Sequence, residues 1–132
     1  MATQQIKTAH AKVKTGADFP AYIHELKQLG LVRYSFMVTD GSALYHGKDG
    51  YEVKREPGFA PRVIASPPDA QALLRAIRNH QQGGSDFPTI CRQAAGAGVE
   101  KWTIDMQAMT CTYFDLAGNK MLLEPIPQGE YA

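Results

Sequence analysis

Gly16-Ala17-Asp18-Phe19-Pro20 returns as Gly84-Ser85-Asp86-Phe87-Pro88, 68 residues further along the chain. Both copies read as helix starts. The aspartate offers a side-chain oxygen to first-turn N–H groups that have no helical partner, and its charge complements the positive end of the helix. The proline falls in that first turn, where the N–H it lacks would have gone unpaired.

Working outward from this pair, the chain aligns with itself at the same offset from residue 16 to residue 53 without a gap. Identities fall at Gly16/Gly84, Asp18/Asp86, Phe19/Phe87, Pro20/Pro88, Gly30/Gly98, Tyr45/Tyr113 and Gly50/Gly118. These seven are chiefly punctuation: a cap, a helix start, a helix-ending glycine and a turn glycine, the positions that define a repeated supersecondary unit. Face parity is kept as well, with Tyr34, Phe36 and Val38 falling on Trp102, Ile104 and Met106. Extended backward, Ile6 and Ala9 fall on Leu74 and Ile77.

The elements follow from periodicity. Residues 4–14 place Ile6, Ala9 and Val13 at helical spacing, with His10 at the edge of that face. The helix opened by Asp18 carries the stripe Phe19, Tyr22, Ile23, Leu26 and Leu29, and Gly30 closes it. From Leu31 the period becomes two, with Val32, Tyr34, Phe36 and Val38 on one face and Arg33 and Ser35 on the other. Asp40-Gly41 predicts a hairpin turn, Ala43–His46 a second strand, residues 47–50 a second turn and Tyr51–Lys54 a third strand.

Residues 55–68 hold Pro57, Gly58, Pro61, Pro67 and Pro68 and read as a connector, with a brief extended piece at Arg62–Ala65. Asp69 caps a helix reaching to about Gln81, its apolar side formed by Leu73, Leu74 and Ile77, and Gly83-Gly84 ends it. The second meander is expected at Val99–Met106, Thr110–Phe114 and Lys120–Glu124, with Asp115–Asn119 as its turn. The fold class expected is α+β: a two-layer single domain over residues 1–132. Its units, 4–54 and 69–124, are each helix, helix and three-strand meander, with helices packed on one side of antiparallel sheet. One continuous sheet and two units facing each other both satisfy this pattern.

Composition narrows the function classes. A net charge of +1 provides no strong field for nucleic acid, membrane or acidic substrates. Lys7, Lys12 and Lys14 with Arg33, Lys54 and Arg55 are the only candidates for a nucleic-acid patch, and a solvated helix face is their plainer reading. Met1–Gln5 lacks the basic-then-apolar order of a secretory signal, and no apolar run approaches the roughly 18 residues of a membrane span. A cytoplasmic protein with no membrane association is expected. Cys91 and Cys111 are too few for a disulfide framework and read as reduced, buried thiols.

Nucleotide-binding, metalloprotease and hydrolase signatures are absent, and Gly96-Ala97-Gly98 closes a helix instead of opening one. Of the histidines His10, His24, His46 and His80, none pairs with another at ligand spacing, so no metal or other cofactor is expected. His10 and His24 correspond to Arg78 and Arg92, which suits an exposed basic group on a helix. The candidate site is the second hairpin: Tyr45, His46, Lys48, Asp49 and Tyr51. There an imidazole near two phenols could orient a small polar ligand or move a proton. The counterpart of His46 is Phe114, so the titratable group belongs to one unit only. A histidine on the sheet surface is the plainer reading.

The run from Ile6 to Ile23 resembles the YbcV/YdfO-like proteins, a small bacterial and prophage family. So do Asp40-Gly41, Tyr51-Glu52-Val53, Ala97–Trp102, Met109–Tyr113 and Ala117-Gly118-Asn119. The resemblance covers nearly the whole chain and implies a domain of unknown function, with members often labelled "phage envelope protein". It carries over no catalytic residues. Taken together, the sequence points first to a prophage-associated protein-interaction or binding module without catalysis. Its occupant would be an unknown protein partner or a second copy of itself. The alternatives are a small-ligand binder or enzyme using the Tyr45–Tyr51 hairpin and, third, nucleic-acid binding through the first helix.

Overall fold

The computed structural model describes residues 19–126 together with Gln5. Asp18, His10, the basic side chains of Lys7, Lys12 and Lys14, and almost all of the helix expected over 4–14 lie outside the described residues. Within them the chain runs α1 (Phe19–Gln28), β1 (Leu31–Met37), β2 (Ala43–Gly47), a 3-10 turn (Lys48–Gly50), β3 (Glu52–Arg55), α2 (Ala70–Gln81), α3 (Phe87–Gly96), β4 (Lys101–Asp105), β5 (Thr110–Phe114) and β6 (Lys120–Pro125). Arg62–Ala65 forms no strand, and Arg55 belongs to β3 where the connector was expected to begin.

Local chemistry accounts for the boundaries. Asp69 accepts from the Ala72 N–H at 3.0 Å to start α2, and Asp86 accepts from the Thr89 N–H at 2.9 Å to start α3. Gly30 and Gly98 take φ of 89° and 95° where α1 and α3 give way to strands. At the first hairpin, Asp40 accepts from the Ser42 hydroxyl and N–H at 2.7 and 2.9 Å, which holds its carboxyl below the usual range. Asp115 accepts from Ala117 and Asn119 N–H groups at 3.0 and 2.9 Å in the last turn.

The six strands form one antiparallel sheet in the order β3-β2-β1-β4-β5-β6. This settles the open choice in favour of a continuous sheet. The join is the β1–β4 ladder, in which Tyr34 faces Ile104, Ser35 faces Thr103 and Phe36 faces Trp102. Ser35 and Thr103 are 68 residues apart, and their hydroxyls meet at 2.9 Å. On either side of that pair, Val38 N–H donates to the Glu100 carbonyl and Met106 N–H to that of Val32, each at 2.9 Å. Left-handed backbone recurs at the same offset, at Gly30/Gly98, Gly41/Met109 and Gly50/Gly118.

The core lies between one face of this sheet and the helices. Tyr34, Phe36 and Val38 from β1 and its exit meet Trp102, Ile104 and Met106 from β4 and its exit, all buried. The helices contribute Tyr22, Ile23 and Leu26 from α1, Leu73, Ala76 and Ile77 from α2, and Ile90, Cys91, Ala94 and Ala95 from α3. Among the described residues, no helix is long and apolar enough to cross a membrane.

Candidate functional site

Strand alternation distributes the five hairpin residues. Tyr45 is 1% exposed and points into the core, stacked on Tyr34 with ring centroids 4.7 Å apart and its hydroxyl 3.1 Å from that of Tyr22. His46, one residue on, faces the other side of the sheet and lies 3.2 Å from the Glu52 carboxylate through Nδ1. Tyr51 is 44% exposed and Lys48 is exposed as well. The side chain of Asp49 lies outside the described set. The fold thus places Tyr45 among phenols and His46 beside a carboxylate, on opposite faces.

What the fold does assemble is a cavity of about 360 Å³ between the sheet and the helices. Its sheet wall is aromatic: Tyr34, Phe36, Tyr45, Trp102 and Tyr113. Phe36 and Trp102, cross-strand partners in the β1–β4 ladder, stack with centroids 4.6 Å apart and planes 21° from parallel. Phe87 of α3 meets both edge-on, at 5.3 Å from Phe36 and 6.3 Å from Trp102. The helical wall is completed by Phe19 and Tyr22, by Leu73 and Ile77, and by Ile90 and Ala94.

Polar groups enter at the ends. Arg55 reaches the cavity from β3, where it stands opposite Ala43. Glu124 reaches it from β6, opposite Cys111, and lies 4.0 Å from Arg78. Ala43 and Cys111 are again 68 residues apart, so a cation and a carboxylate occupy equivalent ladder positions at the two ends. The match is hidden in the sequence because a register shift between Tyr113 and Phe114 adds one residue to β6.

Electrostatics keeps most of the lining neutral. Burial pushes the phenols of Tyr22, Tyr34 and Tyr113 well above their ordinary value, so they remain protonated. Burial likewise pushes the Cys111 thiol, in the cavity wall, and the Cys91 thiol beneath α3 up to about 12. Both thiols are free and buried, and neither is a ready nucleophile at neutral pH. Among the described residues no three His, Cys, Asp or Glu side chains converge on a metal-sized site.

His80 closes α2 at the cavity rim. Its Nδ1 lies 3.0 Å from the Ser85 carbonyl, which can only accept, and 3.1 Å from the Ser85 hydroxyl. Bonding to that carbonyl puts the proton on Nδ1 and leaves Nε2 as the acceptor of the neutral ring. Desolvation lowers its pKa, against weaker opposing effects of the Ser85 bond and Asp86. A folded pKa below the unfolded value means that the unfolded chain binds the extra proton first. The contribution of His80 to stability is therefore present above about pH 6.5 and is lost as pH falls below it. Wild type should lose melting temperature between about pH 7.5 and 5.5, and His80→Gln should lose less. Equal losses would show that His80 is not the titrating group.

The sequence reading weighed Arg55 only for a nucleic-acid patch and His80 only as a metal ligand, and it gave Glu124 no role beyond ending the last strand. For Arg55 a signal existed, since extending the parity of Val53 by two residues puts it on the core face.

Comparison with known proteins adds kinship without activity. Uncharacterised proteins of Mycobacterium bovis and of two strains of Mycobacterium tuberculosis are each 28% identical to this chain over 99 residues. Each match covers 74% of this chain and 60% of the relative, so the chain spans less than two thirds of their length. A family model described as "Protein of unknown function (DUF1398)" matches residues 7–125. With that match taking in both meanders, all three described helices and the cavity between them, the chain belongs to the DUF1398 family.

Proposed function

We propose that the chain binds a small, mainly apolar ligand in the cavity between its sheet and helices. In this reading two copies of one helix-and-meander unit meet at the Ser35–Thr103 pair, and the site is built across their junction. The observation that carries it is the aromatic cavity itself. A space of about 360 Å³ falls in the range of small-molecule sites, which are mostly apolar with a few placed polar groups. Tyr45 is shared with the hairpin singled out from the sequence, while the remaining partners come from β1, β3, β4, β5, β6 and the helices. The neutral phenols and raised thiols support binding over catalysis, because none of them is a ready base or nucleophile.

Trp102 is the single tryptophan of the chain and lies in the cavity wall, so occupancy is read directly from its emission. Titration with N-phenyl-1-naphthylamine, a neutral fluorescent probe, should give saturable one-to-one binding with energy transfer from Trp102. Ile90→Phe, which enlarges a side chain lining the cavity, should weaken it. Absence of saturable binding to the folded wild type, or binding unaffected by Ile90→Phe in a folded variant, would refute the proposal.

A further inference from the structure

Resting on the cavity reading, we infer that the ligand is an aromatic monoanion, its ring against Trp102 and Phe36 and its anionic group directed toward Arg55. Arg55 lines the cavity and is half-buried, yet it makes no ion pair or side-chain hydrogen bond among the described residues. A guanidinium in that position retains donors matched to a carboxylate. The carboxylate at the other end, Glu124, is partly offset by Arg78 at 4.0 Å, so the opposing charges do not cancel evenly.

The surroundings of Arg55 add to the bias. The charges of Arg62, Arg55 and Arg92 all act on the Cys91 thiol in the same direction, which places three cations around this part of α3. Arg62 stacks its guanidinium 4.1 Å from the centroid of Phe59 and keeps a buried Nη1 with no hydrogen-bond partner among the described residues. The phenol hydroxyls of Tyr22 and Tyr45, 3.1 Å apart, belong to cavity-lining residues, and the charge of Arg55 acts on Tyr22. The remaining wall, Trp102 stacked on Phe36 with Phe87 edge-on, presents ring faces and edges that suit an aromatic guest.

Two isosteric probes separate charge from shape: 2-naphthoate and its neutral amide, 2-naphthamide, each titrated by Trp102 emission and by calorimetry. Wild type should prefer the naphthoate by roughly ten- to hundredfold, the range for a hydrogen bond to a charged group. Arg55→Gln should bring naphthoate affinity down to that of naphthamide, and far-ultraviolet circular dichroism with saturable binding of N-phenyl-1-naphthylamine verifies that the variant is folded and retains its cavity. Arg55→Lys should retain part of it. Equal binding of both probes by wild type, or a preference that survives Arg55→Gln, would overturn the anion assignment and leave the cavity reading standing. Failure of both naphthalene probes and of the neutral fluorescent probe would overturn the two together.

Discussion

Gly98→Ala is expected to lower the unfolding free energy by roughly 2–4 kcal/mol, combining a left-handed backbone penalty with overpacking. Gly98 holds φ at 95°, and a Cβ there would lie 2.7 Å from Cα of Pro68 and 3.1 Å from the carbonyl oxygen of Ala65. These are backbone atoms of the connector, so a side-chain rotation cannot relieve the contact. The connector is fixed against α3 by the Ala65 N–H to the Ala95 carbonyl at 2.9 Å and the Asp69 N–H to the Ala97 carbonyl at 2.8 Å. Moving it away would strain both bonds and the cap of α2. Gly96→Ala is the comparison, since a Cβ at this last residue of α3 meets nothing within 4 Å. That substitution should be neutral or slightly stabilising. Urea unfolding of the two variants measures the difference, and similar midpoints would disprove the account of close approach.

The second large effect is expected at Trp102. Trp102→Ala should cost about 3–5 kcal/mol, the range for truncating a buried large aromatic. The indole stacks on Phe36, receives the edge of Phe87 and lies 5.9 Å from Tyr113, so its removal exposes three rings to one void. That void adjoins the existing cavity, and neighbours already spaced around empty volume cannot collapse to fill it. Trp102→Phe retains a ring on Phe36 and should lose much less. Denaturant unfolding followed by far-ultraviolet circular dichroism tests both without relying on tryptophan emission. A loss below about 1 kcal/mol for Trp102→Ala would show that the stack does not support the sheet–helix interface.

The two stabilising features differ in how far the sequence reveals them. Gly98 is legible as a helix-ending glycine because backbone punctuation is local, and the same holds for the caps Asp69 and Asp86 and the turn at Asp40-Gly41. Face parity is also local, which is why Tyr34, Phe36, Trp102 and Ile104 fall on the core side as expected. The β1–β4 register is not local. Its alternatives, a shared sheet or two facing sheets, bury the same residues, so periodicity alone cannot choose between them.

The site was harder to read than the fold. Tyr45 and His46 are adjacent in sequence, and the strand alternation that predicts β2 also sends them to opposite faces. Arg55 was obscured by the prolines that follow it, and Glu124 by the added residue in β6. The cavity could not be read at all, since its volume is what remains after side chains from six strands and three helices have packed. Unfilled space has no sequence periodicity.

The order β3-β2-β1-β4-β5-β6 also bears on how the chain assembles. Four of its five ladders join strands consecutive in sequence, and only β1–β4 spans the connector. Each meander can therefore form by short loop closures, leaving the central ladder as the late, high-separation step. A tether joining two prefolded meanders sets an effective concentration on the order of millimolar for their docking. At protein concentrations approaching that value, the second meander of another chain would compete for β1. Reciprocal exchange between two chains would then rebuild the same central ladder in a closed dimer, with each cavity drawn from both.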